Sequence, residues 1–279
     1  ILPNMEKGSI STRFIEFCKS LSIKDLPKYL YTFYQKYGLL RTLIVLYAVT
    51  MCTYGMLKMK GWWFKKSIQG DHVFITGAGS GIGREMSTML AKKGAKITIT
   101  DINFESAQET VKIINMAGGH AHAIKLDVTN VENIKEAHEE AKAKFGVIDI
   151  LINNAGISIG KSVVDMTKKG IDMVFNINTI SQLYTIKQFL PDMLKQDKGQ
   201  IVTIASAGGT VGVANNADYS ASKWACYGLD ESIRTELKAK GSKVKTTCIN
   251  PYYIKTGMFK GVKAKWPLLL PFLEQSWAC

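Results

Sequence analysis

Tyr219 and Lys223, four residues apart in Tyr219-Ser220-Ala221-Ser222-Lys223, are the side chains of this sequence best suited to moving a proton. On a helix, residues i and i+4 share a face, so an ammonium would lie beside a phenol. The positive charge favours phenolate and draws the tyrosine pKa down from about 10 toward neutrality, where the group can give or take a proton. Ser206, thirteen residues before Tyr219, offers a hydroxyl that could hold a carbonyl or alcohol oxygen. Together these residues suit an oxidoreductase working with a nicotinamide. A Tyr-x-x-x-Lys pair also occurs as an ordinary surface helix pair, so its meaning depends on the elements that carry it.

Those elements alternate. Apolar runs of strand length occur at Val73 to Thr76, Ile97 to Thr100, Ala123 to Leu126, Ile148 to Ile152, Ile201 to Ala205 and Val244 to Ile249. Between them Arg84 to Lys93, Phe104 to Met116, Val131 to Phe145, Asp172 to Leu194 and Asp218 to Lys238 read as helices, several closed by glycine. Strands apolar throughout are covered on both faces, so the fold class is α/β, a doubly wound parallel sheet. Ser206 follows the strand ending at Ala205, and Tyr219 and Lys223 ride the next long helix. The first strand runs into Thr76-Gly77-Ala78-Gly79-Ser80-Gly81-Ile82-Gly83, just before a helix. Glycines there let backbone N–H groups approach a pyrophosphate at a positive helix end. Asp101, ending the second strand, can accept both ribose hydroxyls of NAD and would repel the 2′-phosphate of NADP; the alternative is a helix cap before Phe104. Arg84 is a phosphate contact or a helix-surface residue.

The net charge of +13 is unevenly placed. Residues 1–70 hold 11 Lys/Arg against 3 Asp/Glu. An anionic membrane surface explains this better than nucleic acid, because no basic-aromatic platform or helix-turn-helix pattern appears elsewhere. Residues 1–36 form an amphipathic segment. Tyr37 to Leu57, with Arg41 its only charge, is about 31 Å long as a helix and matches a hydrocarbon core. Trp62, Trp63 and Phe64 among lysines complete an interface at 37–66. The expectation is an N-terminal membrane-anchor helix ahead of a catalytic domain at 67–279. Cys18, Cys52, Cys226, Cys248 and Cys279 lack paired spacing and read as reduced thiols. His120 and His122 have no partners that would make a metal site.

The combination Thr-Gly-x-x-x-Gly-x-Gly at 76–83, Asn-Asn-Ala-Gly at 153–156, Ser206 and Tyr219-x-x-x-Lys223 resembles the short-chain dehydrogenase/reductase family over about residues 70–261. Asp101-Ile102-Asn103, the membrane-like preface and Pro251-Tyr252-x-x-x-Thr256-Gly257-Met258-Phe259 are similar to its membrane-associated retinol dehydrogenase and 17β-hydroxysteroid dehydrogenase branch. The resemblance implies a Rossmann-type domain with Tyr219 as general acid/base, Ser206 orienting the substrate oxygen, and Lys223 lowering the tyrosine pKa and binding the nicotinamide ribose. It implies that Asn178, aligned by counting back from Phe189-Leu190-Pro191 with Asn176 the competitor, holds a relay water. It places Gly77, Ser80, Gly81, Ile82, Gly83, Asp101, Asp127, Val128, Asn154, Ala155, Gly156, Pro251, Ile254 and Thr256 along an NAD cofactor, with NADP the lesser choice.

The implied activity is hydride transfer between NAD(H) and a lipophilic alcohol or ketone, such as a retinoid, steroid or long-chain alcohol. A homodimer through the two long helices and a membrane of endoplasmic reticulum, lipid droplet or mitochondrion belong to the same expectation. Two departures from the family stand out. Asn250-Pro251-Tyr252 replaces the usual Pro-Gly, and only Val262 to Cys279 follows where lid helices and a seventh strand are normal. That tail is a short lid or a truncation. The competing readings are a catalytically silent subunit of a membrane complex that keeps the dinucleotide fold, and an NADP-dependent ketone reductase, which Asp101 opposes.

Overall fold

Alternate residues of the central strand point to opposite sides of a sheet and end in two separate cores. In β1 (His72–Thr76), Phe74 belongs to one buried cluster and Val73 and Ile75 to the other. This is the period of two that a strand imposes. The computed structural model describes residues 28, 31, 32, 35, 38, 43, 46–55, 66–252 and 254. β1 is followed by α1 (Gly81–Lys92), β2 (Lys96–Asp101), α2 (Phe104–Met116), β3 (His120–Lys125), α3 (Val131–Phe145) and β4 (Ile150–Asn153). Then come α4 (Lys168–Phe175), a π turn (Asn176–Ile180), α5 (Ser181–Lys195), β5 (Gln200–Ile204), a 3-10 turn (Ala207–Gly209), α6 (Ala217–Ala239) and β6 (Lys245–Ile249).

The six strands lie in the order β3-β2-β1-β4-β5-β6, and every pairing is parallel. α1 and α2 cover one face through Ala91, Ala107 and Ile114. The other face is covered by α3, α5 and α6 through Ile134, Phe189, Met193, Ile233 and Leu237. Phe74 meets Phe189 edge-on with ring centroids 4.7 Å apart. Side chains of this kind, fully buried, contribute about 1.5–3 kcal/mol each. The doubly wound parallel sheet expected from the sequence is therefore the architecture found. The strand order reverses between β1 and β4, so their loops part there and open a crevice at the carboxyl ends of the strands.

Several boundaries differ from the sequence reading, α1 beginning at Gly81 instead of Arg84 and β4 at Ile150 instead of Ile148, and two others bear on the packing. β3 begins at His120 instead of Ala123, because its backbone pairs with β2 from Lys96↔His120 onward whatever the polarity of the side chains. The helix expected to run unbroken over Asp172 to Leu194 starts at Lys168, where Thr167 Oγ1 accepts from Gly170 N at 3.1 Å. It is then interrupted by the π turn. Asn178 and Thr179 are adjacent and both buried. The widened turn lets both reach α6, Asn178 Nδ2 donating to Ser222 Oγ at 2.9 Å and Thr179 Oγ1 to Ser222 O at 2.9 Å.

The chain divides into residues Ile1–Ser67 and Ile68–Cys279. In the first unit, residues 46–55 are helical. Among the described residues no helix is long and apolar enough to cross a membrane. Part of the expected 37–57 span, nearly all of the amphipathic segment at 1–36, the Trp62-Trp63-Phe64 cluster and the C-terminal tail lie outside the described residues.

Candidate active site

The glycine-rich loop is shaped by what a side chain would collide with. Gly77 has φ +62°, and a Cβ on it would sit 2.9 Å from Ala155 Cα. Gly81, at the start of α1, has φ +54°, and no side chain caps the helix behind Ser80. Asn154 closes the loop from β4, donating from Nδ2 to Thr76 O and Gly77 O at 2.9 Å each. Thr76 Oγ1 in turn accepts from Asn154 N and Ala155 N at 3.0 Å. The Asn-Asn-Ala-Gly segment thus stitches β4 to β1 at the mouth of the crevice.

Asp101 is fastened by two backbone donors: Oδ2 accepts from Gly79 N at 2.9 Å and Oδ1 from Asn103 N at 3.0 Å. The cap of α2 is Asn103, whose Oδ1 accepts from Ser106 N at 3.0 Å, so the capping alternative for Asp101 is set aside. Asp127 Oδ1 accepts from Thr129 N and Thr129 Oγ1 at 2.9 and 2.7 Å. Arg84 turns toward the loop, its Nε donating to Gly79 O at 3.0 Å, and it pairs with Glu109 at 2.6 Å. It is spent on the protein and is neither a free surface residue nor an open phosphate ligand.

At the other end of the crevice, the turn after β5 brings Ser206 to α6. Ser206 Oγ accepts from Gly208 N at 3.1 Å. A Cβ on Gly208 would lie 3.5 Å from both Ser206 Oγ and Tyr219 Cε1, so the two side chains flank one point. Gly209 lets the turn approach α6 closely, since a Cβ there would be 2.8 Å from Lys223 O. Lys223 is 3% exposed. Its Nζ donates to Ile204 O at 2.8 Å and lies 5.9 Å from the centroid of the Tyr219 ring. Burial pulls its pKa below the ordinary lysine value.

Asn178 sits behind this pair. Its Oδ1 accepts from Ile157 N at 2.8 Å, and its Nδ2 donates to Ile157 O at 3.0 Å. A Cβ on Gly156 would be 3.2 Å from Asn178 Oδ1 and 3.4 Å from Lys223 Nζ, so this glycine allows the loop to settle on both.

A single cleft of about 620 Å³ joins these parts. It is lined by Gly77, Ser80, Gly81, Ile82, Gly83, Asp101, Asp127, Val128, Asn154, Ala155, Gly156, Ser206, Tyr219, Pro251 and Ile254, all of them expected from the sequence. Lys223 and Asn178 lie behind its wall, and Thr256 falls outside the described residues. Ile102, Leu126, Ile157, Ser158, Ile177, Ala205 and Tyr252 also line the cleft and are not among the site residues expected from the sequence. Most of them directly adjoin a motif residue, and that adjacency was the available signal.

The family model for short chain dehydrogenases matches residues 71–266. The chain belongs to this family. It is therefore an oxidoreductase of CH–OH groups. It is 40% identical over 216 residues to epidermal retinol dehydrogenase 2 of Homo sapiens, covering 77% of this chain and 70% of that one. Among solved structures it is similar to a short-chain dehydrogenase/reductase from Burkholderia phymatum in complex with NAD. The TM-score there is 0.69 and the identity 28%, covering 72% of this chain and 73% of the other. A metagenomic short-chain oxidoreductase in complex with NADP gives a TM-score of 0.63 at 29% identity, covering 67% of this chain and 84% of that one.

Proposed function

We propose that this protein transfers hydride between NAD(H) and a lipophilic alcohol or ketone, of the retinoid, steroid or long-chain alcohol class, with Tyr219 as general acid/base. The observation that carries the reading is the cleft, in which a glycine-rich cradle and Asp101 stand at one end and Ser206 and Tyr219 at the other. The cradle suits a dinucleotide. Gly81, Ile82 and Gly83 line it at the uncapped start of α1, where N–H groups and the helix dipole favour a pyrophosphate. Asp101, held as a carboxylate acceptor by two N–H groups, favours free ribose hydroxyls over a 2′-phosphate. Pro251, Ile254, Asn154 to Gly156, Asp127 and Val128 complete the binding wall, and Thr256 is assigned to it from the sequence alone. NAD bound in this cleft supplies the hydride acceptor for alcohol oxidation.

The rest of the work falls to side chains of the protein. Ser206 Oγ holds the substrate oxygen beside Tyr219, whose phenolate removes the hydroxyl proton. Lys223 is the electrostatic partner. Burial penalises an isolated ammonium and an isolated phenolate alike, so the two charges form more easily together than singly. Asn178, fixed between Ile157 and Ser222, is the proposed seat of a relay water that returns the proton to solvent.

A membrane setting suits such substrates. Leu43, Leu46, Tyr47, Val49, Met51 and Tyr54 are large apolar side chains exposed in the N-terminal unit, which supports anchoring through 37–57. The membranes of endoplasmic reticulum or lipid droplet are the proposed location. Leu183 and Tyr184 on α5 and Trp224 and Tyr227 on α6 are likewise exposed and support a homodimer through these helices.

The test is a fluorescence titration of the detergent-solubilised protein with NADH and NADPH, followed by oxidation of retinol with NAD. Tighter binding of NADH and production of retinal are expected. Binding of neither nucleotide refutes the reading.

A further inference from the structure

One peptide group connects α2 to the carboxylate that faces the ribose end of the cleft. The Ala78–Gly79 peptide gives its N–H to Asp101 Oδ2 at 2.9 Å, and its carbonyl oxygen accepts from Thr110 Oγ1 at 3.1 Å. Ala78 and Thr110 are both fully buried. No bulk water substitutes for the bond between them. Arg84 Nε donates to Thr110 Oγ1 at 3.0 Å, which occupies an oxygen lone pair; the hydroxyl proton has Ala78 O at 3.1 Å as its nearest acceptor, with Ser106 O at 3.2 Å and Gly79 O at 3.4 Å also in reach. The same guanidinium donates through Nε and Nη2 to Gly79 O and is held from outside by Glu109 Oε2 at 2.6 Å. A continuous line therefore runs from Glu109 through Arg84, Thr110 and a main-chain amide to Asp101.

We propose that Thr110 and Arg84 are positioning residues for dinucleotide selectivity. They set the tilt of the Ala78–Gly79 peptide, and its N–H sets the orientation of the Asp101 carboxylate. The inference rests on the reading that Asp101 receives the ribose hydroxyls of NAD(H). A buried amide held at both ends is oriented more firmly than one held at one end, because each hydrogen bond polarises the next. Without the Thr110 hydroxyl, the Ala78 carbonyl loses its side-chain donor and the peptide can tilt. Asp101 then keeps only the Asn103 N–H bond and turns about it. A turned carboxylate binds ribose hydroxyls less well and repels a 2′-phosphate less strongly. Selectivity falls from both directions.

Thr110→Val removes the hydroxyl without changing charge, and Thr110→Ser retains it. Dissociation constants for NADH and NADPH are measured by nicotinamide fluorescence for the full chain, with melting temperature recorded beside them. For Thr110→Val the NADH constant should rise about tenfold and the NADPH constant change less than about threefold, the scale of one lost hydrogen bond to a charged group. Thr110→Ser should restore the wild-type preference. Arg84→Met, at a side chain 24% exposed, should narrow the preference in the same direction and carries the test if Thr110→Val fails to fold. Equal weakening of both nucleotides alongside a lower melting temperature identifies a purely structural role and overturns the proposal. An unchanged preference in Thr110→Val also overturns it while leaving the NAD reading intact. A wild-type protein that binds neither nucleotide overturns that underlying reading instead.

Discussion

Gly83→Ala is the smallest change that should damage fold and site together. A Cβ at Gly83 would meet Gly77 O inside the repulsive wall, 2.6 Å from Asn154 Nδ2 and 2.9 Å from Ala78 Cα. Two of these neighbours are backbone, so no rotamer change relieves the contact. Either α1 moves away from the loop or the loop moves away from β4, and the two bonds from Asn154 Nδ2 go with it. Overpacking of this kind costs about 3 kcal/mol. For a domain of this size that lowers the melting temperature by about 6–12 °C. Gly228 provides the contrast: it lies within α6, and a Cβ there would meet nothing within 4 Å. Gly228→Ala should stabilise by about 0.5–1 kcal/mol, the ordinary gain of alanine over glycine inside a helix. Thermal unfolding followed by circular dichroism, with an NADH titration of each variant, reads both effects. Gly83→Ala should melt lower and bind NADH at least about tenfold more weakly, because the displaced N–H groups are those proposed to meet the pyrophosphate. A Gly83→Ala protein with wild-type melting and wild-type affinity would refute the assignment of this loop as a close-packed cradle.

Tyr219→Phe should lower kcat by about 10²–10⁴-fold while the NADH dissociation constant, measured by fluorescence, stays within about twofold. Turnover near wild type would rule out the phenol as the acid/base. Asp230 lies on the buried face of α6, with Oδ2 accepting from Thr246 Oγ1 at 3.2 Å, and burial raises its pKa above the ordinary carboxylate value. The folded state holds this proton more tightly than the unfolded chain, so its contribution to stability is full below pH about 4 and declines as pH rises through the folded pKa. Asp230→Asn should therefore melt higher than wild type at neutral pH and lose that advantage in acid. A difference in melting temperature that does not vary with pH would contradict the assignment.

Much of the site was legible because its motifs are short and local. The stretch Thr76 to Gly83 encodes its own turn, and an i, i+4 spacing places Tyr219 and Lys223 on one face wherever the helix lies. Three features were not legible, and two of them depend on contacts far apart in sequence. The π turn at 176–180 arises because Asn178 and Thr179 both find partners on Ser222, and no pattern within α4 or α5 announces that meeting. Arg84 follows the glycines and reads as a phosphate contact or a helix-surface residue until Thr110 and Glu109 are brought to it by α2. The capping of α2 by Asn103, with Asp101 facing the cleft, turns on a displacement of two residues that sequence spacing does not resolve. β3 starts early for a related reason. Backbone pairing with β2 recruits His120 to Ala123 although their side chains are only partly covered or exposed.

The strand order also governs the birth of the molecule. β1 has a neighbour on one side as soon as β2 and its own hydrogen-bond register exist. Its other edge waits for β4, a partner 77 residues further along the chain. During synthesis at about 5–20 residues per second, that strand, apolar at its centre and destined to be wholly buried, spends several seconds outside the ribosome with one side bare. A bare hydrophobic edge pairs with whatever strand it meets. Fragments that stop before Ile150 should accordingly aggregate, and because β4 then waits for β5 in the same way, protection should come only once the chain passes Ile204. The central pairing that opens the crevice in the mature protein is thus also a step on which its solubility turns.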